Sequence, residues 1–216
     1  MNGFERRKQK KIEQIYSVSF QLFSKHGFQK VSVNEIAQNA KVSPATIYNY
    51  FGTKEQLYAD MLMDWMDKQL EQYENILDSE LSFPEKTKEI MLLEARNLKI
   101  LSDEFPEFPS SELNRLVQTV ERHNEQKGMQ FFMKFVALGK QEGFIHKDQT
   151  DEMTILYFTM YKNELGRYWA ASNEESVTRN MDQWMELFFY GLVRQNQEQR
   201  QEQGEVNNSS TCDDAG

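Results

Sequence analysis

Ser43-Pro44-Ala45-Thr46-Ile47-Tyr48-Asn49-Tyr50-Phe51 is the stretch whose reading decides the fold. Ser43 suits an N-cap, and Pro44 suits the first helical position, where a missing N–H costs nothing. A short helix therefore starts here, polar at its entry and aromatic at its exit. Upstream, Ser32-Val33-Asn34-Glu35 reads as a capping box that opens a second short helix over about Val33 to Ala40, with Ile36, Ala37 and Ala40 on one side. Only Lys41, Val42 and Ser43 separate the two. Two short helices across so brief a turn give a helix-turn-helix, whose second helix enters the DNA major groove.

Charge is distributed to match. The chain of 216 residues has a net charge of -9, which argues against a general nucleic-acid binder. Residues 1–54, however, carry nine Lys/Arg against three Asp/Glu, a surplus of six, so the remainder is at -15. A basic head on an acidic body confines attraction for phosphate to one end. Residues 1 to about 9 hold Arg6, Arg7 and Lys8, with Lys10 and Lys11 just beyond, and read as a flexible basic arm that follows the DNA backbone. A first helix then runs to about Lys25, with Ile12, Ile15, Ser19, Leu22 and Phe23 facing the motif, and Gly27 ends it.

Phe23, Gly27-Phe28, Ser32 to Ala37, Val42-Ser43, Thr46-Ile47-Tyr48, Tyr50-Phe51 and Lys54-Glu55-Gln56-Leu57 stand in a specific order and spacing. It resembles that of the N-terminal domain of TetR-type bacterial transcriptional regulators, over about residues 10 to 60. The resemblance implies that Tyr48 and Lys54 contact phosphates, that the following long helix transmits displacement from body to head, and that a small molecule induces release from DNA. Three residues depart from the family's pattern. Lys41 stands where the family usually has Gly, and at positive φ it would cost on the order of 1 kcal/mol. Pro44 and Ala45 also replace residues that are often basic and glycine.

The residues themselves suggest roles within the motif. Ile47 and Phe51, four apart, pack inward. Thr46 offers a methyl to thymine and a hydroxyl, and Asn49 can bond adenine at N6 and N7. Ser32, Asn34 and Ser43 can donate to phosphates while capping helices. Lys41 adds charge, and Ala45 and Tyr50 complete the expected DNA face.

Composition predicts an all-α chain: hydrophobic residues make up 39%, with few Pro and Gly. We expect a three-helix head over residues 1–54, a helical ligand-binding and dimerisation body over 55–196, and a disordered polar tail over 197–216. The single cysteine, Cys212, falls in that tail, which leaves no disulfide framework or cysteine-based zinc site and fits a reducing cytoplasm. No signal pattern is present, and no apolar run approaches the roughly 18 residues of a membrane span.

In the body, Thr53 opens a long helix to about Asp78 with Leu62, Trp65, Met66, Leu70, Tyr73 and Leu77 as its stripe. Pro84 starts the next, to about Leu101. Phe105-Pro106-Glu107-Phe108-Pro109 breaks the pattern, helix resumes over about 112–141, and a final pair covers 150–171 and 175–196. The chain's 11 Met and its aromatics suit an adaptable apolar pocket, for which Met61, Trp65, Phe105, Phe108, Phe132, Tyr157 and Tyr161 are candidates. Glu164 on an apolar face reads either as counter-ion to a cationic ligand or as the partner of Arg167. The apolar run Leu187 to Val193 must bury two faces, and Leu156, Phe158, Trp169, Trp184, Phe188, Gly191 and Leu192 are candidates for an isologous interface.

His26, His123 and His146 are scattered, and no phosphate loop, nucleophile elbow or zinc-protease motif occurs, so no catalytic site or cofactor is expected. The sequence thus predicts a cytoplasmic homodimeric repressor of a pseudo-palindromic operator, released by an apolar or cationic effector. A structural nucleoid or division factor with the same head, and an activator, are the alternatives.

Overall fold

The computed structural model describes residues 3–104, 111–172 and 174–191. Among them there are eight helices and no strand: α1 (Gly3–His26), α2 (Val33–Asn39), α3 (Pro44–Phe51), α4 (Lys54–Leu77), α5 (Phe83–Glu104), α6 (Ser111–Gln141), α7 (Asp151–Ala170) and α8 (Glu174–Tyr190). Backbone contacts divide the chain into two units, residues 1–178 and 179–216.

Local chemistry sets the short elements. Ser32 caps α2 by accepting from the Glu35 N–H at 3.1 Å, Ser43 caps α3 from Thr46, and Thr53 caps α4 from Gln56. The glutamine at the third position of α4 does not reach back to its cap, because its amide donates forward to Asp60 at 2.6 Å. Gly27 ends α1 at φ 78, donating to the Phe23 carbonyl.

The head closes on an aromatic centre in which the Phe23, Phe28 and Tyr58 rings lie 5.1–5.5 Å apart. Ile15, Ile36, Ile47 and Leu57 are fully buried beside them. Val120 of α6 belongs to the same cluster, so the head's core is completed by a residue from the body.

In the body α4 packs against both α5 and α6, and α7 packs against both of these. Asp67 pairs with Lys127 at 2.7 Å and Glu74 with Lys134 at 2.6 Å. The same 60-residue separation recurs one heptad on, so α4 and α6 run parallel. Phe83 is fully buried at the start of α5, tilted against Phe135 at 4.8 Å and stacked on Phe144 at 5.4 Å. Gly139 permits this closeness: a Cβ there would lie 2.7 Å from the Phe83 ring and 2.6 Å from Ile145. A polar triad joins α4 to α5. Asn97 donates to the Tyr73 hydroxyl at 2.8 Å, which donates to Glu94 at 2.5 Å. Burial, and then the Glu94 carboxylate, holds the Tyr73 hydroxyl well above the usual tyrosine range.

Two sequence expectations are corrected. The basic segment before residue 10 is not a flexible arm but the first turns of α1, which begins at Gly3. The last helix stops at Tyr190 rather than 196, because Gly191 turns the backbone to φ 69. In the second unit, Met181, Met185 and Phe188 form the buried stripe of α8. Phe105, Phe108, Leu192 and the 197–216 tail lie outside the described residues.

Candidate nucleic-acid interface

The turn between α2 and α3 is as tight as its sequence required. Lys41 adopts φ 54, the only positive φ of a non-glycine residue among those described. Val42 N–H reaches back to the Ala37 carbonyl at 2.9 Å, which closes the turn. Ile47 and Phe51 face inward, as their spacing predicts, at 1% and 7% exposure. The opposite face of α3 stands open: Ser43, Ala45, Tyr48 and Asn49 are exposed, and Tyr48 retains 51% of its surface. Ser32 and Asn34 at the start of α2 and Lys41 in the turn are exposed beside them.

Thr46 and Tyr50 are half-buried. The Thr46 hydroxyl lies 2.9 Å from the Ser43 hydroxyl, and the hydrogen bond between them fixes both rotamers. Tyr50 stands edge-on to Phe51, with the Lys8 ammonium 5.7 Å from its ring centre. That contact brings the basic start of α1 beside the exit of α3, a juxtaposition of residues 42 apart that no local pattern encodes.

Lys54, expected to contact phosphate, is half-buried and bonded within the head. Its ammonium donates to the Phe28 carbonyl at 2.9 Å and the Val31 carbonyl at 3.0 Å, and sits 4.2 Å over the Phe28 ring. Two of its three protons are thereby engaged inside the head, tying the start of α4 to the α1–α2 connection. Burial pushes its pKa below the ordinary lysine range, against the opposing effect of Glu55.

Residues 15–61 match the model of the bacterial regulatory proteins of the tetR family. The chain carries a TetR-type head. Two relatives match part of the chain. The HTH-type transcriptional repressor KstR2 of Mycolicibacterium smegmatis is 28% identical over 74 residues, 34% of this chain and 36% of that protein. The uncharacterized HTH-type transcriptional regulator YuxN of Bacillus subtilis is 37% identical over 62 residues, 29% of this chain and 21% of that one. The chain thus covers well under two thirds of either relative.

Solved structures extend the likeness to the whole fold. The fatty acid degradation regulator FadR of Bacillus halodurans superposes with a TM-score of 0.64 at 19% identity, over 84% of this chain and 99% of that one. FadR of Bacillus subtilis, solved in complex with stearoyl-CoA, gives 0.62 at 18% identity over the same shares. At these identities the fold alone is what is shared.

Behind the TetR-type head, the described pocket candidates lie in separate surroundings. Met61 is buried in the head's own core, and Trp65 stacks on Phe20 of α1 at 5.9 Å. Phe132 packs on Phe135 and Phe158 between α6 and α7. Tyr157 and Tyr161 lie against each other at 5.0 Å on α7, and Tyr157 is 40% exposed. Glu164 is exposed and pairs with Arg167 at 2.8 Å, the alternative its sequence context allowed, so it offers no buried counter-ion.

The interface candidates also divide. Leu156 is exposed, Trp184 half-buried and Phe188 buried within the single chain. Phe158 is half-buried and meets Phe132 and Phe135 edge-on at 4.8 Å and 5.3 Å. Gly191 is exposed past the end of α8, while nothing is described of the Trp169 side chain. Sequence reasoning missed the Tyr73–Glu94–Asn97 triad. Its signal was present in Glu94 and Asn97 three apart on α5, a spacing that puts two polar groups on one helix face. Among the described residues no group of three or more His, Cys, Asp or Glu is placed to hold a metal, and no helix is long and apolar enough to cross a membrane.

Proposed function

We propose that the chain is a homodimeric transcriptional repressor that inserts α3 into the major groove of each half of a pseudo-palindromic operator. The observation that carries this is the exposed face of α3, with Tyr48 and Asn49 outward on a helix whose other face, through Ile47 and Phe51, is locked into the head's core. Such a helix is rigid, which base reading requires. Tyr48, Ser32, Asn34, Ser43 and Lys41 position the head on phosphates, and Asn49 and the Thr46 methyl read bases.

Dimerisation is supported by α7. Met153, Leu156, Tyr157 and Met160 fall at i, i+3, i+4 and i+7 and are 40–61% exposed, and Tyr168 continues the line two turns further. An apolar stripe of this length fits a second copy of itself. Each head then meets one half-site, with the half-sites one or more helical turns apart, about 34–36 Å per turn.

An apolar effector between the helices of the body would release the operator by binding the DNA-free conformation better, since equal affinity shifts nothing. Long-chain acyl-CoA is the first class to screen, because a structure of similar fold was solved with stearoyl-CoA. A cationic effector has lost its support with the pairing of Glu164 to Arg167.

The test is the affinity of purified protein for the duplex upstream of its own gene against a scrambled duplex at physiological salt. A ratio of about 10³ or more, reduced at one base pair per half-site by Asn49→Ala, is expected. A ratio near one on this duplex and on duplexes selected from a random pool would overturn sequence-specific regulation in favour of a head that coats DNA without reading it.

A further inference from the structure

The first turns of α1 lie outside the matched family domain, which begins at residue 15. They hold Arg6, Arg7, Lys8, Lys10 and Lys11, all exposed, and none of the five makes an ion pair among the described residues. The arrangement works against the helix that carries it. Arg6 faces Lys10 and Arg7 faces Lys11 at i, i+4, where like charges repel, and Arg6 also stands in the first turn of the helix, whose N-terminal dipole is already positive. Glu5 and Glu13 are the only acidic residues in the first 14. Folding stability therefore gives no account of this run, whereas a polyanion would reverse the sign of every one of these interactions.

Placement says which polyanion. The Lys8 ammonium lies 5.7 Å from the ring centre of Tyr50 on α3, so the basic turns flank the exit of the helix proposed to enter the groove. Arg6 to Lys11 spans about 7.5 Å of helix axis at 1.5 Å per residue. That is about two base pairs at 3.4 Å each, a match to the backbone just outside the groove. The acidic remainder of the chain leaves this end as the place where phosphate is attracted.

We infer that the first three turns of α1 form a second, preformed phosphate-binding track through Arg6, Arg7, Lys10 and Lys11, which grips the DNA backbone flanking each half-site. This rests on the proposed reading of α3. It goes beyond that reading because these residues reach outside the base-reading footprint and contribute affinity without base preference.

The experiment compares the full chain with the variant Arg6→Gln, Arg7→Gln, Lys10→Gln, Lys11→Gln. Lys8 is kept so that its packing on Tyr50 survives. Affinity is measured from 50 to 200 mM salt on a selected and a scrambled duplex, with hydroxyl-radical footprinting on the selected one. The slope of log K against log salt should shrink by about 0.9 for each phosphate no longer neutralised, and so by about 2 or more for a dimer. Protection at the outer flanks should disappear while the selected-to-scrambled ratio is kept. The charge-conserving variant Arg6→Lys, Arg7→Lys should retain the slope. An unchanged slope with intact flanking protection would overturn the track and leave the α3 reading standing. A slope that falls on both duplexes without any preference between them would support the track and remove the sequence-specific reading instead. If the unmodified chain binds neither duplex, both readings fall.

Discussion

The head and the body are both built on buried aromatics, yet they constrain their sequences differently. In the head, short helices of seven and eight residues meet at turns that tolerate one geometry, so nearly every position answers to a cap, a turn or the core. In the body, helices of 17 to 31 residues satisfy their backbones internally and need only a periodic stripe. A function that needs fixed side-chain positions sits on the first kind of structure. Dimerisation and effector binding, which tolerate many apolar surfaces, are proposed for the second.

The largest expected effect tests the head's core. Phe23→Ala removes a ring that touches both Phe28 and Tyr58, and should cost about 3–5 kcal/mol in urea unfolding. DNA affinity should fall with the folded fraction. A variant that lost binding while unfolding at the unmodified urea concentration would show that Phe23 acts on the DNA face rather than on the core.

Val120→Ala would break the division between the regions. The residue lies on α6 but completes the head's cluster at 2% exposure, so its truncation should destabilise the head by about 1–3 kcal/mol. Hydrogen exchange should then rise in α1 and α4 as well as α6. Exchange confined to α6 would make the head a self-contained unit.

Tyr73→Phe sharpens the body's side of the comparison. It leaves the buried Asn97 amide without its acceptor and should cost about 1–3 kcal/mol, whereas a body held only by apolar stripes would gain from the change. Thermal unfolding of the two proteins at equal concentration decides between these signs.

The smallest effect belongs to the turn. Lys41→Gly relieves the positive φ of 54 and should stabilise the head by up to about 1 kcal/mol, while it removes one positive charge from the proposed DNA face. A stabilised protein with weaker DNA binding would show that the charge is kept despite the strain. A destabilised one would mean that the turn relaxes without glycine.

The sequence by itself determined the helix-turn-helix, because its signals are local. Ser32, Ser43 and Thr53 each satisfy an N–H three residues on, and Ile47 with Phe51 names the inner face of α3 by a four-residue spacing. It also determined the body's helices and most of their ends. It could not assign the faces of those helices. A stripe on α7 looks the same whether it buries Phe158 against Phe132 or presents Leu156 and Tyr157 outward, since periodicity fixes spacing along a helix and not which neighbour each side will meet. Lys54 shows the same boundary: its position at the head of α4 was legible, but its carbonyl partners come from residues 23 and 26 positions earlier. Only the tertiary structure decided these points, together with Val120 in the head's core and Lys8 beside Tyr50, because each depends on segments distant in sequence being packed against one another.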